Sequence, residues 1–220
     1  MSTNYNPRIV TDGLVLALDA ANSRSYSGTG TTWSDLSGNG NTGTLTNGPT
    51  YNSANAGSIV FDGVNDRIDL AQIDNTTELS LEGWHKFTAS SFPSFSGIVS
   101  KDVSGNRIFQ LNLMTGKLQS HLGAGMTAST AVPLNTWYHF GFTSSSVGNS
   151  ILYVNAVSVA VSGGQIAANS ANIPIHIGGY NNGIASGGSK EISRVNMYNR
   201  ALTAAEVAQN FNATRGRYGI

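Results

Sequence analysis

Cysteine is absent, which excludes a disulfide framework, a thiol nucleophile and a thiolate metal site. No apolar run reaches membrane length, and Met1 to Val10 lacks the basic n-region and apolar h-region of a secretion signal. The expectation is a chain made and folded in the cytosol without a signal peptide, with no membrane partner. Charge is sparse, at 11% Asp, Glu, Lys and Arg, and twelve basic residues balance twelve acidic ones. A neutral chain has no long-range pull on nucleic acid, so nucleic acid is not expected as a partner. From Val103 to Lys190 there is no Asp or Glu at all. The stretch with the clearest strand pattern therefore offers no general acid or base, whereas glycoside hydrolysis needs two carboxylates at a defined separation. A non-enzymatic role is expected. No proline-rich or charged linker and no tandem repeat divides the sequence, so 1–220 reads as one domain, a size that all-β folds reach undivided.

What is present is strand alternation and turn chemistry. G-L-V-L-A-L-D at Gly13–Asp19 opens with a buried strand. A Gly- and Asn-rich excursion follows over 20–58, with Trp33 and Leu36 as its expected anchors, and it is either functional or a packed cover. Ser58–Leu70 reads as strand, turn at Asp62-Gly63, strand. Leu79–Phe87 turns Leu79, Leu81, Gly83 and Phe87 inward and leaves Trp84 on the other face, where the long excursion or a C-terminal helix is expected to cover it. Ile108–Met114 and Lys117–Leu122 flank a turn at Thr115-Gly116. Trp137–Thr143 places Tyr138, Phe140 and Phe142 in the core phase and is expected to extend the same meander. Ile151–Asn155, Ile173–Gly178 and Glu191–Tyr198 complete the strands, the last with a bulge near Ser193 or Arg194. The fold class is all-β, a two-sheet antiparallel sandwich.

One helix interrupts this pattern, at 203–215. Thr203 followed three residues later by Glu206 is a capping box, Leu202 and Val207 form a hydrophobic staple, and Val207 with Phe211 makes a narrow apolar stripe that must lie on something larger.

Several blocks, in order, resemble the LamG-like, concanavalin A-type jelly-roll family. They are F-D-G-V-N-D-R-I from Phe61, L-S-L-E-G-W-H-K-F from Leu79, W-Y-H-F-G-F-T from Trp137 with I-L-Y-V-N, I-H-I-G-G from Ile175, and V-N-M-Y-N-R-A-L-T-A-A-E-V from Val195. Asn155-Ala156 departs from the family's usual Asn-Gly, and the E-x-D-x-E strand of the related glucanases is missing. The opening G-L-V-L-A-L-D-A-A-N, the D-L-S-G-N-G-N stretch and the closing N-F-N-A-T-R-G-R-Y-G-I are similar to the versions found in tailed-phage proteins. That resemblance implies a virion surface structural protein, a head decoration or cement protein or a fibre component. Its partners would be other virion subunits and copies of itself, with host cell-surface polysaccharide as a candidate ligand. A free lectin or adhesin is the alternative.

Sugar recognition needs amide donors and acceptors beside an aromatic platform. Gln110, Asn112, Gln119, His121, Trp137 and His139 meet that composition on what is expected to be one polar sheet face. No cofactor is expected except calcium, for which Asp62, Asn65 and Asp66 supply oxygens in a turn; an ordinary Asx turn is the competing reading of the same residues. His121, His139 and His176 carry no zinc-site spacing.

Overall fold

The computed structural model describes residues 8–73, 78–91, 94–103, 106–121, 126–163, 173–179 and 187–220. Among them, in chain order, are β1 (Leu14–Asp19), β2 (Thr32–Trp33), β3 (Gly43–Thr46), β4 (Thr50–Asn52), β5 (Ser58–Phe61), β6 (Arg67–Leu70), β7 (Leu79–Phe87) and β8 (Ser96–Val103). There follow β9 (Asn106–Met114), β10 (Lys117–His121), β11 (Met126–Ala131), β12 (Tyr138–Ser144), β13 (Ser150–Val154), β14 (Val157–Ser162), β15 (Ile175–Ile177), β16 (Lys190–Tyr198) and the helix α1 (Ala204–Thr214). The strands form two antiparallel sheets. The first runs β14-β13-β12-β7-β16-β5-β4, with β1 also paired to β16; the second runs β11-β10-β9-β8-β15-β6-β3-β2.

The inner faces meet in one apolar core. Phe61, Phe87, Phe140 and Ile192 from the first sheet interleave with Ile68, Phe109, Leu111 and Ile177 from the second, all buried. The alternation of β7, β9 and β12 thus reports the inward face correctly. The bulge in β16 lies between Ile192 and Arg194, where the register against β7 shifts. Most of the 20–58 excursion is a packed cover that adds β2, β3 and β4. Asp35 organises it: one carboxylate oxygen accepts the Ala17 and Ser37 backbone amides, both at 2.9 Å, and the other accepts the Asn41 amide at 3.0 Å. Trp33 is a buried anchor, but Leu36 is 37% exposed and anchors nothing. Leu122, expected at the end of β10, lies outside the described residues.

One expectation of sheet membership fails. β12 pairs with β7 and β13 in the first sheet, so it does not extend the β9–β10 meander. In a sandwich the chain crosses between sheets, and period-two alternation identifies a face without identifying the sheet.

Two hairpins turn through paired left-handed residues. At Thr115-Gly116 the φ values are 49° and 81°; at Asn155-Ala156 they are 50° and 62°. Ala156 therefore holds a conformation that glycine adopts without steric cost. Ala156→Gly is expected to raise the unfolding free energy by about 0.5–1 kcal/mol. Urea titration checks this; a lower midpoint would mean that the packing of the Ala156 methyl on its aromatic neighbours outweighs the relief of strain.

Candidate functional site

Direct pairing across antiparallel strands puts partners on the same face, and one polar row crosses the outer face of the second sheet. His121 on β10 stands opposite Gln110 on β9, Gln110 opposite Ser100 on β8, Ser100 opposite His176 on β15, His176 opposite Asp69 on β6, and Asp69 opposite Thr44 on β3. In the neighbouring row Gln119 faces Asn112. Four of the six residues expected to form a sugar site, Gln110, Asn112, Gln119 and His121, are therefore together.

Their setting is not the open, solvated surface expected. Gln119 and His121 are half-buried at the β10 side, while Gln110 is buried and Asn112 is 0% exposed. The row descends from an accessible rim to an enclosed floor. Several groups on that floor lack partners. Among the described residues neither amide atom of Asn112 finds a hydrogen-bond partner, nor does Gln110 Oε1, although Gln110 Nε2 donates to Asp102. A buried amide without a partner costs about 1–3 kcal/mol, so these positions favour a group that supplies the missing hydrogen bonds.

At the far end, Asp69 and His176 form a fixed pair. Arg67 Nε and Thr46 Oγ1 each donate to the Asp69 carboxylate at 2.7 Å, and His176 Nδ1 lies 2.8 Å from Asp69 Oδ1. Burial works against charge on Asp69, but these hydrogen bonds outweigh it and hold its pKa below the usual carboxylate value. An ionised carboxylate only accepts, so His176 Nδ1 carries a proton and donates it to Asp69, which fixes the direction of Nε2. That Nε2 is buried and has no partner. Ser100 stands beside His176, but its hydroxyl donates to the Gly179 carbonyl at 3.2 Å. The histidine thus has an oriented second nitrogen but no serine hydroxyl hydrogen-bonded to it. Sequence reasoning placed Asp69 and His176 on strands and missed their pairing; 107 positions separate them.

Trp137 and His139 do not join this row. They lie on the outer face of the first sheet, beside α1. Trp84, His139, Phe211 and Tyr218 make an aromatic stack there, Trp84 Nε1 donates to Thr214 Oγ1 at 2.8 Å, and Trp137 packs on Tyr218 with ring centroids 5.1 Å apart. Lys86 sits over the Trp137 ring and Asn55 accepts from its indole N–H. Both rings serve packing, and Trp137 is not available as a sugar platform. Glu82, on the same face, hydrogen-bonds Asn196 and is fully enclosed; burial raises its pKa despite the Asn196 and Asn210 hydrogen bonds. It has no solvent-facing cleft to work in.

The histidines do not converge on a metal. His121 and His176 are three strand spacings apart, about 14 Å, and His139 is on the other sheet; among the described residues no group of three His, Cys, Asp or Glu could hold an ion. In the Asp62–Asp66 turn, Asp62 Oδ1 accepts the Val64 amide at 2.7 Å and Asp66 Oδ2 the Asp62 amide at 2.9 Å, while Asn65 is exposed. The turn is an Asx turn. The cation nearest in function is Lys190, fully buried, whose ammonium donates to Gly178 O at 2.8 Å and Gly97 O at 3.0 Å and is attracted by both aspartates. Asp62 Oδ1 and Asp66 Oδ2 each accept a backbone amide, the arrangement of an Asx turn rather than of a converging cation cage.

Comparison with known proteins agrees with this architecture. A family model described as the concanavalin A-like lectin/glucanases superfamily matches residues 61–208. The chain belongs to that superfamily. No curated protein matches it in sequence. Among solved structures, this concanavalin A-like chain is similar to the binding domain of Paraclostridial Mosquitocidal Protein 1, with a TM-score of 0.73, 18% identity, and coverage of 92% of this chain and 52% of that one. It is also similar to the botulinum neurotoxin type G receptor binding domain (TM-score 0.69, 16% identity, 91% and 51% coverage). A third is Trypanosoma rangeli sialidase (0.67, 16%, 94% and 35%). The chain thus spans about half the length of the toxin domains and about a third of the sialidase, and at these identities the likeness is one of fold.

Proposed function

We propose that this concanavalin A-like domain is a non-enzymatic surface component of a bacteriophage particle, a head decoration or a fibre part, and that the polar row of its second sheet recognises a host glycan. The observation that carries the recognition role is the enclosed, unpaired set of Asn112, Gln110 Oε1 and His176 Nε2. Neutral amides and an imidazole nitrogen suit the hydroxyl and acetamido groups of sugars, and Gln119 and His121 give them a half-buried rim. The toxin domains named for binding share the fold, which supports recognition over catalysis. The particle assignment rests on the opening, D-L-S-G-N-G-N and closing stretches of the sequence, and it makes other virion subunits and further copies of the chain the expected partners. The protein then lies on the virion surface.

Asn112→Leu gives an expected outcome that separates a site from a core position. Removing an orphaned amide leaves stability equal or higher, by about 1–2 kcal/mol, while glycan affinity on an array of host polysaccharide fragments falls at least tenfold. Lower stability with undiminished binding would exclude the row as the site. Gold-labelled antibody on intact particles tests the particle assignment: label on heads or fibres supports it, and absence from particles leaves the free lectin.

A further inference from the structure

Beside the carboxyl end of α1, two hollows of about 820 and 560 Å³ share the wall formed by Ala213, Thr214 and Arg217. Four arginines line them: Arg215 and Arg217 in the larger, Arg8, Arg194 and Arg217 in the smaller. Neither lining includes an Asp or Glu. The carboxylate behind them is Asp19, which two arginines share: Arg217 binds it through both terminal nitrogens, at 2.8 and 3.2 Å, and Arg194 at 3.3 Å. Asp19 is itself buried and also accepts the Ala21 amide. Arg8 and Arg215 are exposed and form no ion pair among the described residues. Asp12, close to Arg8 in sequence, pairs with Arg200.

Four arginines around one buried aspartate concentrate positive charge here, on a chain whose side chains carry no net charge. Among the described residues no second carboxylate pairs with these arginines, although Arg215 and Arg217 lie over the Phe211 and Tyr218 rings. The helix terminus accounts for one of the cations, since exposed carbonyls at a C-terminus favour positive charge. It does not account for Arg8 and Arg194, which come from distant parts of the chain.

We infer that this groove is an anion-binding site, distinct from the polar row, and that its ligand is a carboxylate- or sulfate-bearing sugar. Guanidinium forks match the planar carboxylate and the sulfate oxygens. Asn212 and Thr11 add neutral donors and acceptors for ring hydroxyls. Nucleic acid fits less well. Among the described residues no aromatic is an exposed large apolar side chain, so none offers a platform for base stacking beside the groove. The anion preference stands on the arginines alone; the choice of a sugar rests on the glycan-recognition reading above.

The test is calorimetric titration of the full chain at low salt with a sulfated uronic-acid hexasaccharide, with inorganic sulfate, and with a single-stranded DNA 12-mer. Arg8→Gln/Arg215→Gln alters only exposed side chains, so its thermal midpoint should stay close to that of the unmodified chain. Its hexasaccharide affinity should fall about tenfold or more, in line with the loss of two charge-assisted contacts. Asn112→Leu should leave this binding unchanged. Salt should weaken it, as the groove is open and screened. Absence of binding by both sulfate and hexasaccharide, or loss of binding in Asn112→Leu but not in the double arginine variant, would overturn the site. Tighter binding of the 12-mer than of the hexasaccharide would overturn the sugar assignment. Failure of neutral glycans on the array leaves the anion result standing, so the two readings fail separately.

Discussion

Trp84→Ala is expected to destabilise the protein by about 3–5 kcal/mol, as for other buried aromatic truncations. Trp84 is fully buried on the outer face of the first sheet, its ring stacked on Tyr218 at 3.9 Å between centroids and on Phe211 at 5.8 Å. Its indole N–H holds Thr214, the last residue of α1. Truncation removes the floor of the aromatic stack and leaves Thr214 without that donor. Because a domain's total stability is only about 5–15 kcal/mol, this single change consumes a large share of it. The effect is also directional. The inner core between the sheets does not include Trp84, whereas Val207, Phe211 and Tyr218 depend on the outer face it helps to form. Urea unfolding followed by circular dichroism gives the magnitude, and limited proteolysis should cleave first within the α1 segment. Trp84→Phe, which keeps an aromatic floor, should lose about half as much. A Trp84→Ala midpoint within error of the unmodified chain would show that the helix docks without it.

The capped helix was legible because its signals are local. Thr203 accepts from the Glu206 amide and Glu206 accepts from the Thr203 amide, as the capping-box spacing predicts, and Val207 and Phe211 are buried. The inward phase of β7, β9 and β12 was legible for the same reason, since alternation is written in consecutive residues. Features that depend on distant pairing were not. Trp137 and His139 have the right phase but sit on the other sheet, because the crossing after β11 carries no periodic signal. β8, Ser-Gly-Ile-Val-Ser-Lys-Asp-Val, was missed because bulges at Gly97/Val99 and Lys101/Asp102 break its alternation. The burial of Asn112 and the ammonium of Lys190 reaching carbonyls 93 and 12 positions away are likewise properties of assembly. The polar row was therefore half readable: its amides on β9 and β10 were, and its Asp69–His176 end was not.

Acid is expected to weaken the fold well before its surface carboxylates titrate, and His139 is the reason. Burial, with a smaller contribution from nearby Arg194, lowers the His139 pKa to about 3. The unfolded value is about 6.5, so the folded state depends on the neutral ring. Stability from this group is complete above pH 6.5 and declines as pH falls toward 3, at up to about 1.4 kcal/mol per pH unit. Across the whole window the loss is of the order of 4–5 kcal/mol. His85, buried beside Tyr138 in the core, is shifted in the same direction by burial and by Lys190, and adds to the slope. Glu82 acts oppositely. Its pKa is raised by burial, so its contribution is present below the ordinary carboxyl value and is lost as pH rises through its folded value. The two groups face each other, His139 Nε2 3.7 Å from Glu82 Oε2, and burial favours the uncharged form of each. His139→Phe keeps a ring against Trp84 and Phe211 while removing the titration. Unfolding free energies of this variant and the unmodified chain, measured from pH 7 to pH 4, should converge at the acid end or cross, with the variant's slope flatter by close to one proton. Equal slopes would place His139 in contact with solvent and remove it from the stack beside α1.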